Sequence, residues 1–256
     1  MIEFITNFFH VIIYDPLYNL LIIIYNLVPY KDFGLAIVLV TVIIKLVLAP
    51  IFRKQIESQK RLQELQPQIK AIQTKYKDDK EKQTKAIMEF YKENKVNPFS
   101  GCMPLVLQLF IFIAFYRVII AFVDSSFLTS ADILYNFVSN PGQLPYENSF
   151  GVINLMEANK YLAVLAAIAM YFQSKMMMQK NTDKKEGEKK EVVKTNEDGD
   201  KKPDFAQMMQ KQMLYVGPLI TLVIGWTFAA GLTLYWFASI LFSIAQQYYI
   251  QHNKDK

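Results

Sequence analysis

A single cysteine, Cys102, in 256 residues excludes a disulfide scaffold and any multi-cysteine zinc or iron–sulfur site. Histidine is nearly as scarce: His10 and His252 stand in the two terminal segments. The chain has no H-E-x-x-H, no G-x-S-x-G, no phosphate loop and no paired carboxylates within its apolar runs. Cys102 has no His or acid near it in sequence and reads as a small packing residue. No catalytic group set remains, so an enzyme is not expected, nor a metal or cofactor. Basic residues are absent from most of the chain. Of 28 Lys+Arg, 24 fall in 53–97, 175–211 and 254–256, leaving Lys31, Lys45, Arg117 and Lys160 elsewhere. A soluble nucleic-acid binder would interleave its charges with its core. The segregation seen here predicts an all-α polytopic membrane protein with no DNA partner.

What fills the space between the basic blocks is hydrocarbon. A bilayer core of about 30 Å needs roughly 20 helical residues. Phe33 to Phe52 supplies such a run, broken only by Lys45, and Gly101 to Val123 a second, with Arg117 near one end. Tyr161 to Gln173 spans if its flanks are included. Met213 to Ile250 is nearly free of charge and too long for one crossing, so it folds as a hairpin, with the turn expected at Ala229-Ala230-Gly231. The expected spans are 33–54, 101–123, 158–177, 213–229 and 231–250. With the N-terminus outside, 55–100, 178–212 and the tail 251–256 lie in the cytoplasm, and these are the three basic blocks. The pieces left outside, chiefly 1–32 and 124–157, have Lys31 as their only basic residue against Glu3, Asp15, Asp32, Asp124, Asp132 and Glu147.

Residues 5–28 are apolar enough to span, but Asp15-Pro16 breaks the run, and Leu17 to Val28 is too short to cross. An amphipathic helix at the outer interface is the preferred reading, with Tyr14, Tyr18, Tyr25 and Tyr30 at headgroup level; a sixth span is the alternative. A cleaved signal peptide is not expected, for want of a basic n-region and a small-residue cleavage site.

Within the first basic block, Leu62, Leu65, Ile69, Ile72 and Tyr76 recur at heptad spacing. Lys77-Asp78-Asp79-Lys80 interrupts them, and Ile87, Phe90 and Tyr91 follow. This predicts an antiparallel helical hairpin, with Pro67 kinking its first helix or opening a new one. Asn181 to Lys202 has no aromatic residue and reads as disordered.

An ionisable side chain deep in a span is a functional candidate, because burying its charge costs at least about 2.5–3.5 kcal/mol. Lys45 is that residue, roughly 10 Å from the inner end of its span, with Thr41 one turn away. It must reach water, a polar cavity or, by snorkelling, the interface. Gln108, Gln173 and the stripe Trp236, Ser239, Ser243, Gln246 add sparse polar groups, all on the cytoplasmic half of their spans. The outer half is apolar apart from Arg117, which can snorkel outward. The pattern predicts a positively charged groove open to the cytoplasm and sealed outside. A channel or transporter needs polar groups through the whole depth or midplane sites between repeats, and no repeat is visible. A half-depth groove suits a protein that receives polar or acidic chain segments from the cytoplasm and lowers the barrier to their crossing.

The stretch Leu65 to Tyr116, LQPQIKAIQTKYKDDKEKQTKAIMEFYKENKVNPFSGCMPLVLQLFIFIAFY, closely resembles the first cytoplasmic hairpin and second span of the YidC/Oxa/Alb membrane protein insertases. GLTLYWFASILFSIAQQ at 231–247 matches as well, and the likeness runs from about Asp15 to Gln247. The resemblance implies insertion and chaperoning of nascent membrane proteins at the bacterial plasma membrane. Its implied partners are the lipid bilayer, the Sec translocon and the ribosome. It also implies a five-span core with the N-terminus outside and the C-terminus in the cytoplasm. Lys45 falls where the family usually carries Arg, so the charge is kept and the planar carboxylate-binding fork is lost. Ala229 stands in place of a common Pro and Ile240 of a common Asn. The form expected is the one without a large extracytoplasmic domain, and no cysteine is placed to carry a lipid anchor.

Overall fold

In hydrocarbon every backbone N–H and C=O must be paired within its own segment, so the apolar runs are helices. The structure, a computed structural model, describes residues 2–97, 103–123, 133–141, 148–178 and 205–252. Its helices are α1 (Ile2–Phe9), α2 (Asp15–Leu27), α3 (Phe33–Lys75), α4 (Lys80–Glu93), α5 (Met103–Val123), α6 (Lys160–Met178), α7 (Phe205–Thr227) and α8 (Ala230–His252). Strands β1 (Asn148–Ser149) and β2 (Ile153–Asn154) pair antiparallel, with Ser149 opposite Ile153. Cys102 and Asn181 to Lys202 lie outside the described residues. Two compact units result: 1–46 with 111–256, and 47–110.

In the first unit α6 packs on α7 and on α8. Small residues permit the close approach that helices in lipid rely on. A Cβ on Gly225 of α7 would meet the Cβ of Ala163 on α6 at 2.8 Å, and one on Gly217 would meet Met170 Cε at 3.2 Å. Ala36, Ala114, Ala163, Ala166 and Ala230 are all fully covered. Helices α5 and α8 join through rings: Phe115 stacks on Tyr235 at 4.1 Å, and Phe112 meets Trp236 edge-on at 5.1 Å. Large apolar side chains meanwhile point outward along α6 (Leu165, Ile168, Phe172) and α7 (Leu219, Val223, Trp226). Small residues inside and large apolar ones outside suit hydrocarbon surroundings; in water such a surface would be a liability.

Two stretches are long and apolar enough to cross a membrane among the described residues, Thr6–Leu27 and Phe33–Leu62; Val106–Ala121 and Leu214–Thr227 are apolar but shorter. The break expected at Asp15-Pro16 is not a break in the helix. A π-helical turn, His10–Tyr14, joins α1 to α2 and places Pro16 in the first turn of α2. The turn between the last two helices also differs from expectation. It falls at Phe228-Ala229, and Gly231 lies inside α8. Space is close there: a Cβ on Gly231 would sit 2.9 Å from Ile119 Cδ1 and 3.4 Å from the Leu155 carbonyl oxygen.

The second unit contains the hairpin. Helix α3 runs through Pro50 and Pro67 without ending, so Pro67 does not open a new helix. The turn after Lys75 closes with Asp79, which caps α4 by accepting from the Lys82 N–H at 3.0 Å. Gln83 Nε2 then reaches back to the Gln73 carbonyl at 2.8 Å, tying α4 to the last turns of α3.

Candidate functional site

Lys45 ends in a polar cluster inside the first unit. It is 5 % exposed, and its Nζ donates to Ser243 Oγ on α8 at 3.3 Å. A serine hydroxyl has one proton, and Ser243 gives it to the Ser239 carbonyl at 2.8 Å, leaving its lone pairs for the lysine. Thr41, one turn before Lys45 and also buried, donates to the Ile37 carbonyl at 2.6 Å. The Lys45 amine thus ends on a hydroxyl within the first unit. The Ser243 hydroxyl faces the amine in surroundings that screen poorly, so an acidic group entering there would be attracted more strongly than at a water-exposed lysine.

The other predicted residues distribute as follows. Ser239 is buried on the Ser243 face, Trp236 is half-buried against Phe112, and Gln173 of α6 and Gln246 of α8 are half-buried. Gln247 was not anticipated and is more enclosed than its neighbour. It continues the series Ser239, Ser243, Gln247 at four-residue spacing, a signal present in the sequence beside the stripe chosen. Gln108 belongs to the second unit and is half-buried on α5. In that unit Ile69 is buried, Leu65, Tyr76 and Tyr91 are half-buried, and Pro67 is exposed. Burial pushes the Tyr91 phenol above its ordinary value.

The opposite end of the first unit is more polar than its sequence suggested. Arg117 lies 2.8 Å from His10 Nε2 and its guanidinium sits over the Phe9 ring, so it has partners and does not simply snorkel outward. Asn19 is buried and fully used: it donates to the Asp15 and Ile133 carbonyls and accepts from the Tyr135 N–H. Asn26 donates to the Ser139 carbonyl at 2.8 Å. Asp32 caps α3 through the Leu35 N–H at 2.9 Å, and also accepts from Ser149 Oγ and from the Phe150 N–H at 2.6 Å. Burial raises the Asp32 carboxyl, but these donors outweigh it and hold the group below the usual carboxylate value. Thr233 Oγ1 is buried with no hydrogen-bond partner. Single residues such as Asn19 gave no periodic signal, because their partners come from a loop more than a hundred residues away.

Residues 23–256 match the family model described as 60Kd inner membrane protein. The chain is 32 % identical over 221 residues to a protein of Fusobacterium nucleatum named membrane protein insertase YidC, with 86 % of each chain covered. Proteins of the same name from Streptomyces avermitilis and Rickettsia bellii are 30 % and 32 % identical over 86 % of this chain. The match spans 51 % and 35 % of those two longer relatives.

Proposed function

We infer that this chain, which belongs to the 60Kd inner membrane protein family, is a membrane protein insertase of the bacterial plasma membrane. The observation that carries the reading is the buried Lys45 ammonium, held on Ser243 in a bundle whose other faces are apolar. Such a charge is costly to keep in a membrane and is retained where it does work. Lys45 attracts acidic or polar flanks of an incoming chain into a groove open to the cytoplasm. Thr41, Ser239, Ser243, Gln246 and Gln247 replace part of the water those flanks lose, with Gln173 and Trp236 completing the lining. The apolar outer half lets the nascent span pass sideways into lipid. No bond is made or broken, so the protein acts without enzymatic turnover.

Five spans, α3, α5, α6, α7 and α8, put the N-terminus outside and the three basic blocks in the cytoplasm. Residues 2–27 lie along the outer interface. Their tethers support this: Asn19 and Asn26 bind carbonyls of the 133–139 loop, and His10 meets Arg117, six residues from the outer end of α5. A crossing helix would carry these contacts through the full thickness of the bilayer. The basic hairpin of α3 and α4 receives the substrate or the ribosome, and the Sec translocon is a working partner.

The test is insertion of a short single-span protein into liposomes that contain the full chain. Lys45→Ala should impair insertion and Lys45→Arg should sustain it; equal activity of the two variants sinks the charge role. Solute flux without any nascent chain would favour a channel instead.

A further inference from the structure

Lys45 and Ser243 meet only if two helices from distant parts of the chain are held at the same depth. Helix α3 starts at Phe33, twelve positions before Lys45. Helix α8 starts at Ala230, thirteen positions before Ser243. At 1.5 Å per residue donor and acceptor sit about 18 and 20 Å below their helix starts, so these near-equal lengths bring them level only if the two starts are level. One small structure joins those starts. Asp32 grips the β1–β2 turn through Ser149 and Phe150. The same hairpin continues into Leu155 and Glu157, whose carbonyls accept from the Gly231 N–H at 3.0 Å and the Ala230 N–H at 2.7 Å.

The junction is built with strain and without spare room. Phe150 has φ +53° and Gly151 +71°, and Tyr30 and Lys31, just before Asp32, have +58° and +50°. Left-handed non-glycine residues persist only where their surroundings over-determine them, and here three flank one carboxylate and its partner turn. A Cβ on Gly34 would sit 2.6 Å from Ser149 Cβ and 3.1 Å from Leu234 Cδ2. The second residue after the helix cap is therefore glycine because the hairpin lies directly against it.

We propose that the β1–β2 hairpin is a register clamp and that Asp32 is its positioning residue, setting the relative depth of α3 and α8 so that Lys45 meets Ser243. The role of the clamp in insertion rests on the insertase reading above; the clamp itself does not. Two measurements on the full chain in liposomes test it. Spin labels at Leu39 and Leu241, both exposed, report the α3–α8 distance by pulsed electron paramagnetic resonance. The parent should give one narrow distribution. Gly34→Ala, which pushes Ser149 away while leaving the carboxylate in place, should broaden or shift it, and Asp32→Ala should do the same. Ser149→Gly added to Gly34→Ala removes the clash, gives up the Ser149 hydrogen bond and keeps the Phe150 N–H on Asp32, so it should move the distribution back toward the parent. Insertion should fall about tenfold in Gly34→Ala and recover in the double variant, since coupled neighbours depart from additivity. Two independently destabilising changes would instead add. An unchanged distribution in both single variants, or a double variant worse than Gly34→Ala, overturns the clamp. A shifted distance with unaltered insertion by Lys45→Ala would leave the clamp standing and refute the groove.

Discussion

Arg117 Nη1 lies 2.8 Å from His10 Nε2 and binds α5 to the N-terminal helix. Arginine can only donate, so Nε2 is the acceptor and the ring proton of neutral His10 sits on Nδ1, facing Asp15 at 3.6 Å. Replacing His10 by Ala removes the acceptor for Arg117. We expect a loss of about 1 kcal/mol, the ordinary worth of such a bond. Hydrogen exchange in residues 2–14 should accelerate several-fold, with α6 and α7 unaffected; uniform acceleration would argue against a local tether.

Lys45→Ala should lower insertion by about tenfold, the order expected when one charged hydrogen bond to the substrate is lost. Substrates lacking acidic residues near their translocated end should be less affected. Lys45→Met, which keeps the stem and drops the charge, should behave as Ala in insertion and as the parent in thermal stability.

Asp32 gives a pH dependence with a definite sign. Its carboxyl is held below the usual value because the Ser149, Phe150 and Leu35 donors outweigh burial, so the folded state favours the ionised form. That contribution is complete above the ordinary carboxylate value of about 4 and fades as pH falls through the lowered folded value. Melting temperature should therefore show no Asp32-dependent change between about pH 5 and 8. Below that range the parent should lose stability faster than Asp32→Asn, whose amide does not titrate.

At the α6–α7 contact, Gly225→Ala should destabilise the first unit by about 1–3 kcal/mol, the usual cost of overpacking, because its Cβ would lie 2.8 Å from Ala163 Cβ. Ala163→Gly in the same chain should recover most of that loss in detergent unfolding. Failure to recover would show that the helices do not meet there.

Within the hairpin, Ile69→Ala should cost about 2–4 kcal/mol in that unit, since Ile69 is its most enclosed seam residue. Pro67→Ala should stabilise it, because an interior helical proline forfeits a hydrogen bond. Proteolysis between Lys75 and Lys80 reads both.

Much of the helical organisation was legible before any coordinates. Long uncharged runs and heptad spacing are local signals, and Lys45 stood out because charge in hydrocarbon is costly wherever it occurs. Three things were not legible. The Asp15-Pro16 pair looked like an interruption because a hydropathy pattern does not register a π turn, which shifts the backbone bonding and lets the helix continue. Gly231 suits a turn by sequence because glycine tolerates any backbone angles, and only the start of α8 at Ala230 places it inside a helix. Arg117 shows no partner in the sequence because His10 stands more than a hundred positions away in the chain.

The sequence by itself determined which segments are apolar, where the cations gather, which lysine stands in a span and which family the motifs resemble. These follow from residue chemistry and short-range periodicity. Only the tertiary structure decided what Lys45 touches. That contact depends on two helix starts, almost two hundred residues apart, being held level by a seven-residue β-hairpin and one aspartate. No periodicity along the chain encodes such a coincidence of depth, because it is a property of helix ends meeting in space.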